Sequence, residues 1–131
     1  MHPLLEKEDQ QLIDLLDAID KCMSDGGSAN QVYNYLSDFI VLAKEHFKNE
    51  EIIMEHYKYP DIIDHKKEHA DLLKQLLILQ SKLDQGRTSF SRDYMKTLRN
   101  WLDEHLLSND KKLSKFMYLV NADSHKMPVE A

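Results

Sequence analysis

Four histidines and two carboxylates of this chain occur in three closely spaced pairs. Two of the pairs have a spacing of four residues, which places both side chains on one face of a helix, about one turn apart. Each of these pairs can direct two donor atoms at a single point, and segments of this kind converging from different helices would form a metal site inside a bundle. The pairs are His46 and Glu50, His65 and His69, and His105 and Asp110.

The third pair has a different spacing, because His105 and Asp110 are five residues apart. On a regular α-helix they would be about 140° out of register, so both can face one site only if the helix bulges or breaks between them. Ser108 and Asn109 are residue types that favour helix caps and turns. We therefore predict a break at this point, followed by a short final helix from Lys111 to about Val120.

The three pairs are expected at a common height in a bundle. The first pair lies near the end of one predicted helix and the second near the start of the next, across a short Tyr59-Pro60 connection, and the third lies near the far end of the last long helix. A single pair of this kind is usually on a solvated face, but agreement in height among three indicates a site. Imidazole and carboxylate donors without cysteine suit iron, manganese or zinc, and a bridging carboxylate can hold two ions close together. We favour a dinuclear iron site.

Apolar residues recur at helical spacing in four stretches, which predicts an all-α fold. Short connections between helices of similar length make neighbours antiparallel, so we predict an up-down-up-down antiparallel four-helix bundle with a short C-terminal helix. Residues 1–120 would form this bundle, and residues 121–131 a polar C-terminal tail. The long helices are predicted at about Pro3 to Met23, Asn30 to Tyr57, Asp61 to Leu83 with Gly86 as the stop, and from a cap at Ser89 or Ser91 through His105.

Composition limits the class of protein. With 131 residues the chain is most simply one domain, and its net charge of −6 with scattered Lys and Arg disfavours nucleic-acid binding. We find no secretory leader pattern and no apolar run long enough to cross a bilayer. The single cysteine, Cys22, suits a reducing compartment. We therefore expect a cytoplasmic protein with neither nucleic acid nor membrane as a partner.

The motifs together resemble those of a known family, the hemerythrins, and especially the bacterial ones. The resemblance is carried by the run from His46 to Met54, Tyr59-Pro60, the run from His65 to His69, and the run from Trp101 to Leu106 with Asp110. It covers nearly the whole chain after the first predicted helix. It implies a four-helix bundle that holds two non-haem iron ions with an oxo or hydroxo bridge and binds O2 reversibly.

The resemblance also implies a role for each matched residue. One iron would be held by three histidines, two carboxylates would bridge both ions, and a fourth histidine would bind the second iron, which is the one that takes O2. Two apolar residues would enclose the site. In that order, the residues are His65, His69 and His105; Glu50 and Asp110; His46; and Trp101 and Leu102.

The chain departs from the family pattern at the second iron. The family supplies a further histidine from the first helix, and Asp9 stands at that position here, with Gln10 as the alternative in a different alignment. His2 lies about two helical turns away and is a poor substitute. A carboxylate would add negative charge, stabilise ferric iron and accelerate autoxidation. If Asp9 points away instead, water would fill the position, which could then admit peroxide, nitric oxide or azide.

Three classes of function follow from these features. The first is binding of O2 or a related small oxidant, as a carrier or a sensor, and we favour such a binding protein over an enzyme. The second is a di-iron redox enzyme acting on peroxide, nitric oxide or ferrous iron. The third is a regulatory module whose metal state alters contact with a separate protein partner. Among the remaining candidates, Glu51, Glu68 and Glu104 could orient the ligands, although most such charges face water, and we expect no metal role for His56 or His125.

Overall fold

The computed structural model describes residues 3–86 and 88–124, all within helices or the short turns between them. The first four helices form the antiparallel up-down-up-down bundle that the sequence predicts, and a shorter fifth helix continues from the fourth. No described helix is long and apolar enough to span a membrane. The helices are α1 (Pro3–Ser24), α2 (Ala29–Tyr57), α3 (Ile62–Asp84), α4 (Thr88–Glu104) and α5 (Asp110–Ser124), with a π-helical segment (His105–Asn109) between the last two.

The ends of α2 are set by local hydrogen bonds. Ser28 caps its N-terminus by accepting from the Gln31 backbone N–H at 3.1 Å, and the Gln31 side chain accepts from the Ser28 N–H at 2.9 Å. This reciprocal pair satisfies two donors that a helix N-terminus otherwise leaves free. At the other end, Lys58 adopts left-handed geometry with φ 55°, and Tyr59 N–H donates to the Met54 carbonyl. The predicted end before Tyr59-Pro60 is confirmed.

The boundaries of α1 and α3 fall within one residue of the prediction, with Asp61 at the N-cap position of α3. Gly86 ends α3 with φ 75°, as expected of a residue without a Cβ. The predicted caps of the fourth helix are wrong, because Ser89 and Ser91 already lie inside α4. Gly86 supplies the turn, so the next helix starts almost at once, before either serine is reached.

The predicted break after His105 is also wrong, because the chain bulges and stays helical. The Asp110 N–H donates to the His105 carbonyl, an i→i+5 bond that defines a π-helical turn. Asn109 does not compete with the backbone here, since its amide donates to the Glu68 carboxylate on α3. The final helix therefore begins one residue before Lys111. It continues four residues past Val120, into the segment predicted as tail, of which residues 125–131 lie outside the described part of the chain.

Two apolar clusters enclose a layer of polar residues. On α1, Leu12 belongs to the larger cluster and Leu5 to the smaller, and Asp9 lies between them. The same order is found where α4 continues into α5, with Asp110 between Leu106 and Leu113. Since each helix crosses from one cluster to the other at the same height, the polar side chains between them share one buried layer. This layer contains all three histidine and carboxylate pairs.

Candidate metal centre

Seven donor residues from four parts of the bundle meet in the buried layer. None has more than 7% of its surface exposed. Helix α1 contributes Asp9, α2 contributes His46 and Glu50, α3 contributes His65 and His69, and the continuous helix from α4 to α5 contributes His105 and Asp110. The structure therefore brings together every residue for which the sequence predicted a metal-binding role.

One half of the layer contains three imidazoles. His69 Nε2 lies 2.9 Å from Glu50 Oε1, and His65 Nε2 lies 3.2 Å from the same oxygen. His105 Nε2 lies 3.3 Å from Asp110 Oδ1. One donor atom from each of these five residues lies within 4.8 Å of every other, which is a separation that a single metal ion can span. We call this group the imidazole half.

The other half contains one imidazole and an additional carboxylate. His46 Nε2 lies 2.9 Å from Asp9 Oδ1, 3.3 Å from Asp110 Oδ2 and 3.5 Å from Glu50 Oε2. The donor atoms of Asp9, His46 and Asp110 again lie within 4.8 Å of one another. Together with the second oxygen of Glu50, they form what we call the carboxylate half.

Glu50 and Asp110 belong to both halves, and each directs one oxygen to each of them. Glu50 Oε1 faces His65 and His69, whereas Oε2 faces His46. Asp110 Oδ1 faces His65 and His105, whereas Oδ2 faces His46. A carboxylate divided in this way can bridge two metal ions held side by side. The π-helical turn makes this possible for Asp110, because it restores the register that five residues of regular α-helix would lose.

Several polar atoms in the layer lack a well-oriented hydrogen-bond partner among the described residues. They are Asp9 Oδ1, Glu50 Oε2, His105 Nε2 and Asp110 Oδ1. An unsatisfied buried polar atom is costly, and four of them converging on one small volume indicate that something else satisfies them. Imidazole nitrogens and carboxylate oxygens with no thiolate suit iron. The residues present thus fit a pair of iron ions.

Three of the four histidines are oriented from behind by a glutamate. His46 Nδ1–H donates to Glu8 Oε1 at 2.9 Å, and His69 Nδ1–H donates to Glu51 Oε2 at 2.9 Å. His105 Nδ1–H donates to Glu68, which also accepts from Asn109. These bonds leave Nε2 of each ring free to bind a metal and raise its basicity. Two of these partners, Glu51 and Glu68, were candidates from the sequence, whereas Glu104 is exposed.

Glu8 was not recognised from the sequence. It accepts from His46 and also from the Asn49 side-chain amide at 2.6 Å, so it joins α1 to α2 beside the carboxylate half. A usable signal does exist, because all three glutamates flank a ligand directly in the sequence. A residue next to a ligand is turned about 100° around its helix, which directs it at the ligand of the adjoining helix.

Aromatic rings pack against the histidines and were also missed. The Phe47 ring stacks on His69 with centroids 4.1 Å apart and planes 9° apart, and it meets His105 edge-on. Tyr59, which is buried, meets His65 edge-on. Phe47 and Tyr59 thus add apolar surface beside three of the four imidazole rings. Phe47 directly follows a ligand in the sequence, where an apolar residue is easily assigned to the core alone.

Burial and mutual repulsion shift the acidity of the metal-free centre. Burial raises the pKa of Asp9 to about 6 although the neighbouring His46 imidazole opposes this. Burial and the neighbouring Asp110 raise the pKa of Glu50 well above its usual range. Burial would lower the pKa of His46, but the neighbouring carboxylates of Asp110, Asp9 and Glu8 raise it to about 12. The raised pKa values favour the protonated forms of Asp9, Glu50 and His46, so binding of a metal by these side chains must release protons.

Burial has the opposite outcome at His69. Burial, together with repulsion from His65 and His105, lowers the pKa of His69 to about 2, so its imidazole is neutral. Burial likewise lowers the pKa of His105. A neutral imidazole with a free lone pair is the form that binds a metal.

The other residues that the sequence analysis considered lie outside the group of seven donors. Gln10 is exposed and donates to Asp14, so the structure brings Asp9 to the centre and not its alternative. His56 is exposed and packs against Tyr57, away from the donor group. Leu102 is buried in the larger apolar cluster that also contains Phe47, and half-buried Trp101 packs against that cluster. Their predicted part in enclosing the site stays a prediction. His2 and His125 lie outside the described residues.

Comparison with known proteins agrees with this geometry. The sequence model of a protein family, described as the Hemerythrin HHE cation binding domain, matches residues 1–116 of this chain. The chain is 33% identical over 98 residues to myohemerythrin-1 of Phascolopsis gouldii, covering 75% of this chain and 73% of that protein. It is 36% identical over 76 residues to the bacteriohemerythrin of Methylococcus capsulatus, covering 58% of this chain and 56% of that protein. No solved structure gave a significant match.

The matched region includes all seven donor residues, the π-helical turn, the whole larger apolar cluster and every buried member of the smaller cluster except Met117. The family match and the arrangement of the donors agree. The chain therefore belongs to the hemerythrin family, whose members are non-haem di-iron proteins that bind oxygen.

Proposed function

We propose that this chain binds O2 at a di-iron centre whose two positions are the imidazole half and the carboxylate half. His65, His69 and His105 bind one iron, His46 and Asp9 bind the other, and Glu50 and Asp110 bridge them. The observation that carries this assignment is the division of each bridging carboxylate between the two halves. Bound iron supplies the electrons for reversible capture of O2.

We place O2 at the carboxylate half, because this half offers fewer metal donors than the other. It offers one imidazole, one terminal carboxylate and two bridging oxygens, which is four donors against five in the imidazole half. A metal that prefers five or six ligands is left with an open position there. The neighbouring Phe47 and the larger apolar cluster keep bulk water away from the layer.

Asp9 distinguishes this centre from that of a typical oxygen carrier. With Glu50 and Asp110, its carboxylate brings the number of anionic ligands for the two ions to three, whereas an imidazole at the same place would be neutral. Additional negative charge favours the ferric state, because the interaction grows with the charge on the metal. The chain should therefore bind O2 and lose it to oxidation sooner than a relative with histidine there, which favours a sensor of oxidant over a long-lived carrier.

Iron analysis with optical spectroscopy tests the proposal. Purified protein should contain two iron ions per chain. Anaerobic loading with ferrous iron followed by air should give the charge-transfer absorption of a diferric centre. An anaerobic crystal structure with anomalous scattering at the iron edge should then place one ion in each half, with Asp9 bound. Protein that takes up no iron, or iron located away from these residues, would contradict the proposal.

A second candidate function is catalysis, and Asp9 is again the observation that favours it. A centre that settles in the ferric state with one open position could turn over peroxide, nitric oxide or ferrous iron. Repeated consumption of one of these substrates by the iron-loaded chain, above the rate of free iron, would support this candidate. A single stoichiometric reaction would support binding alone.

We propose a cytoplasmic protein, supported by the use of a single cysteine. If the centre acts as a sensor, we propose that a protein partner reads its state. A partner that co-purifies with the reduced form and is released from the oxidised form would support this, and equal recovery from both forms would count against it.

A further inference from the structure

A small cavity on the protein surface ends at one ligand of the proposed centre. It has a volume of about 260 Å³ and lies between the start of α3 and the junction of the π-helical segment with α5. His65 forms part of its wall, and the other lining residues are Tyr59, Asp61, Asp64, Glu68, Asn109 and Lys112. Since His65 also faces the bridging carboxylates, its ring separates the cavity from the metal-binding layer.

The charges around this cavity are mostly negative. Asp61 and Asp64 are exposed at its mouth, Glu68 is partly buried deeper in its wall, and Lys112 is the one lysine or arginine among the lining residues. Carboxylates therefore outnumber ammonium groups around the cavity by three to one, and a concave negative surface concentrates cations. The polar wall also allows an entering ion to keep its water molecules.

His65 differs from the other three histidines in how it is held. His46, His69 and His105 each donate from Nδ1 to a glutamate. Among the described residues, no carboxylate except Glu50 and Asp110 lies within 4.0 Å of His65. Its exposed fraction of 5% is also the largest of the four. The ring at the inner end of the cavity is thus the one with the least support from behind.

The inner side of His65 leads directly to unsatisfied donors. Its Nε2 lies 3.4 Å from Asp110 Oδ1, which is buried and lacks a well-oriented partner, and His105 Nε2 beyond it is unsatisfied as well. A cation that passes the His65 ring therefore reaches Asp110 Oδ1 and His105 Nε2, two buried atoms that it can satisfy by binding. The acidic mouth and these buried unsatisfied atoms are separate observations, and they lie at the two ends of one path.

We infer that divalent metal ions enter the centre through this cavity, with Asp61 and Asp64 attracting the hydrated ion and the His65 ring acting as the gate. This inference rests on the proposed function, because it requires that the buried layer binds metal. It adds a loading route that is separate from the position where O2 binds. The imidazole half is filled first on this route, since the carboxylate half lies behind it.

The rate of metal loading tests the route. Metal-free protein is mixed with Co²⁺, whose visible absorption changes on binding, and the rate constant is measured by stopped flow at low and high ionic strength. The double variant Asp61→Asn/Asp64→Asn should load roughly tenfold more slowly at low salt, with a weaker dependence on salt. Lys112→Glu should load faster. The metal content at the end of each reaction is measured, so that rates are compared at equal occupancy.

The control is Asp71→Asn/Asp84→Asn, which removes two exposed carboxylates of α3 that lie outside the cavity. Its rate should equal that of the unsubstituted chain. Equal rates for the Asp61/Asp64 variant and this control, with full metal binding in both, would overturn the route and leave the proposed function intact. Failure of the unsubstituted chain to bind Co²⁺ or ferrous iron would instead overturn the proposed function, and the route with it.

Discussion

The two halves of the buried layer use the same bridging carboxylates but differ in every other donor. The imidazole half adds three histidines from α3 and the π-helical segment, whereas the carboxylate half adds one histidine and Asp9 from α1 and α2. In the imidazole half, a metal would be bound mainly by three imidazole nitrogens. In the carboxylate half, it would be bound by one imidazole nitrogen and the negatively charged carboxylate of Asp9. A bundle can thus make two metal positions of different character within one buried layer.

The two halves also differ in how their histidines are supported. In the carboxylate half a single glutamate, Glu8, orients the only imidazole and ties α1 to α2 through Asn49. In the imidazole half, two of the three rings have a glutamate of their own and the third faces the surface cavity. Metal binding in the carboxylate half therefore depends on one oriented imidazole. In the imidazole half it is distributed over three imidazoles. The following changes test that contrast.

The largest effect is expected where the two halves meet. Asp110→Asn keeps the shape of the side chain but removes an anionic oxygen from both positions, so both should bind metal more weakly. We expect metal content to fall from two ions per chain to fewer than one after gel filtration, measured by plasma mass spectrometry. The exposed Asp93→Asn on α4 is the matched control and should retain two ions. Full loading of Asp110→Asn would show that the carboxylate does not bridge.

Removing one histidine from each half should separate them. His46→Ala leaves only carboxylates in its half, so that position should empty and the content should fall to about one ion per chain. His69→Ala leaves two imidazoles in its half, so the position should weaken without emptying. Metal titration by calorimetry distinguishes a lost site from a weakened one. Equal losses in the two variants would contradict the proposed difference between the halves.

A smaller effect is expected from the residues that orient the ligands. Glu8→Gln should weaken metal binding in the carboxylate half by about 10- to 100-fold, the usual range for loss of such a partner. Glu51→Gln should weaken the imidazole half less, because two further rings bind the same ion. Glu6→Gln, exposed on α1, serves as the control. If Glu8→Gln and Glu51→Gln have the same effect, the carboxylate half has more support than its contacts indicate.

The smallest change in binding, but a clear one in redox behaviour, is expected from Asp9→His. A neutral ring in place of the carboxylate removes one negative charge, so ferrous iron is stabilised and the oxygenated form should last roughly tenfold longer, equal to about 1.4 kcal/mol in the barrier. Optical spectra recorded after exposure to air measure this lifetime. Asp14 is exposed five residues further along α1, and Asp14→His should change nothing. An unchanged lifetime in Asp9→His would mean that Asp9 does not control oxidation.

Much of the centre was accessible from sequence because its ligands are separated by helical repeats. A spacing of four residues gives a shared face in any α-helix, so His46 with Glu50 and His65 with His69 could be paired without a structure. The spacing of five between His105 and Asp110 indicated an irregularity. Its form was predicted wrongly, because Ser108 and Asn109 suggested a break, and only the contact between Asn109 and Glu68 on α3 shows why the helix continues.

The sequence by itself determined the all-α class, the helix boundaries near Pro60 and Gly86, and the donor types in the buried layer. These follow from local rules of spacing, capping and chain stiffness. Only the tertiary structure decided that Asp9 and not Gln10 faces His46, that Glu8 orients the same ring, and that Glu50 and Asp110 divide their oxygens between two halves. Each of these depends on the rotation and height of one helix against another, and the packing of the apolar clusters around the layer sets both.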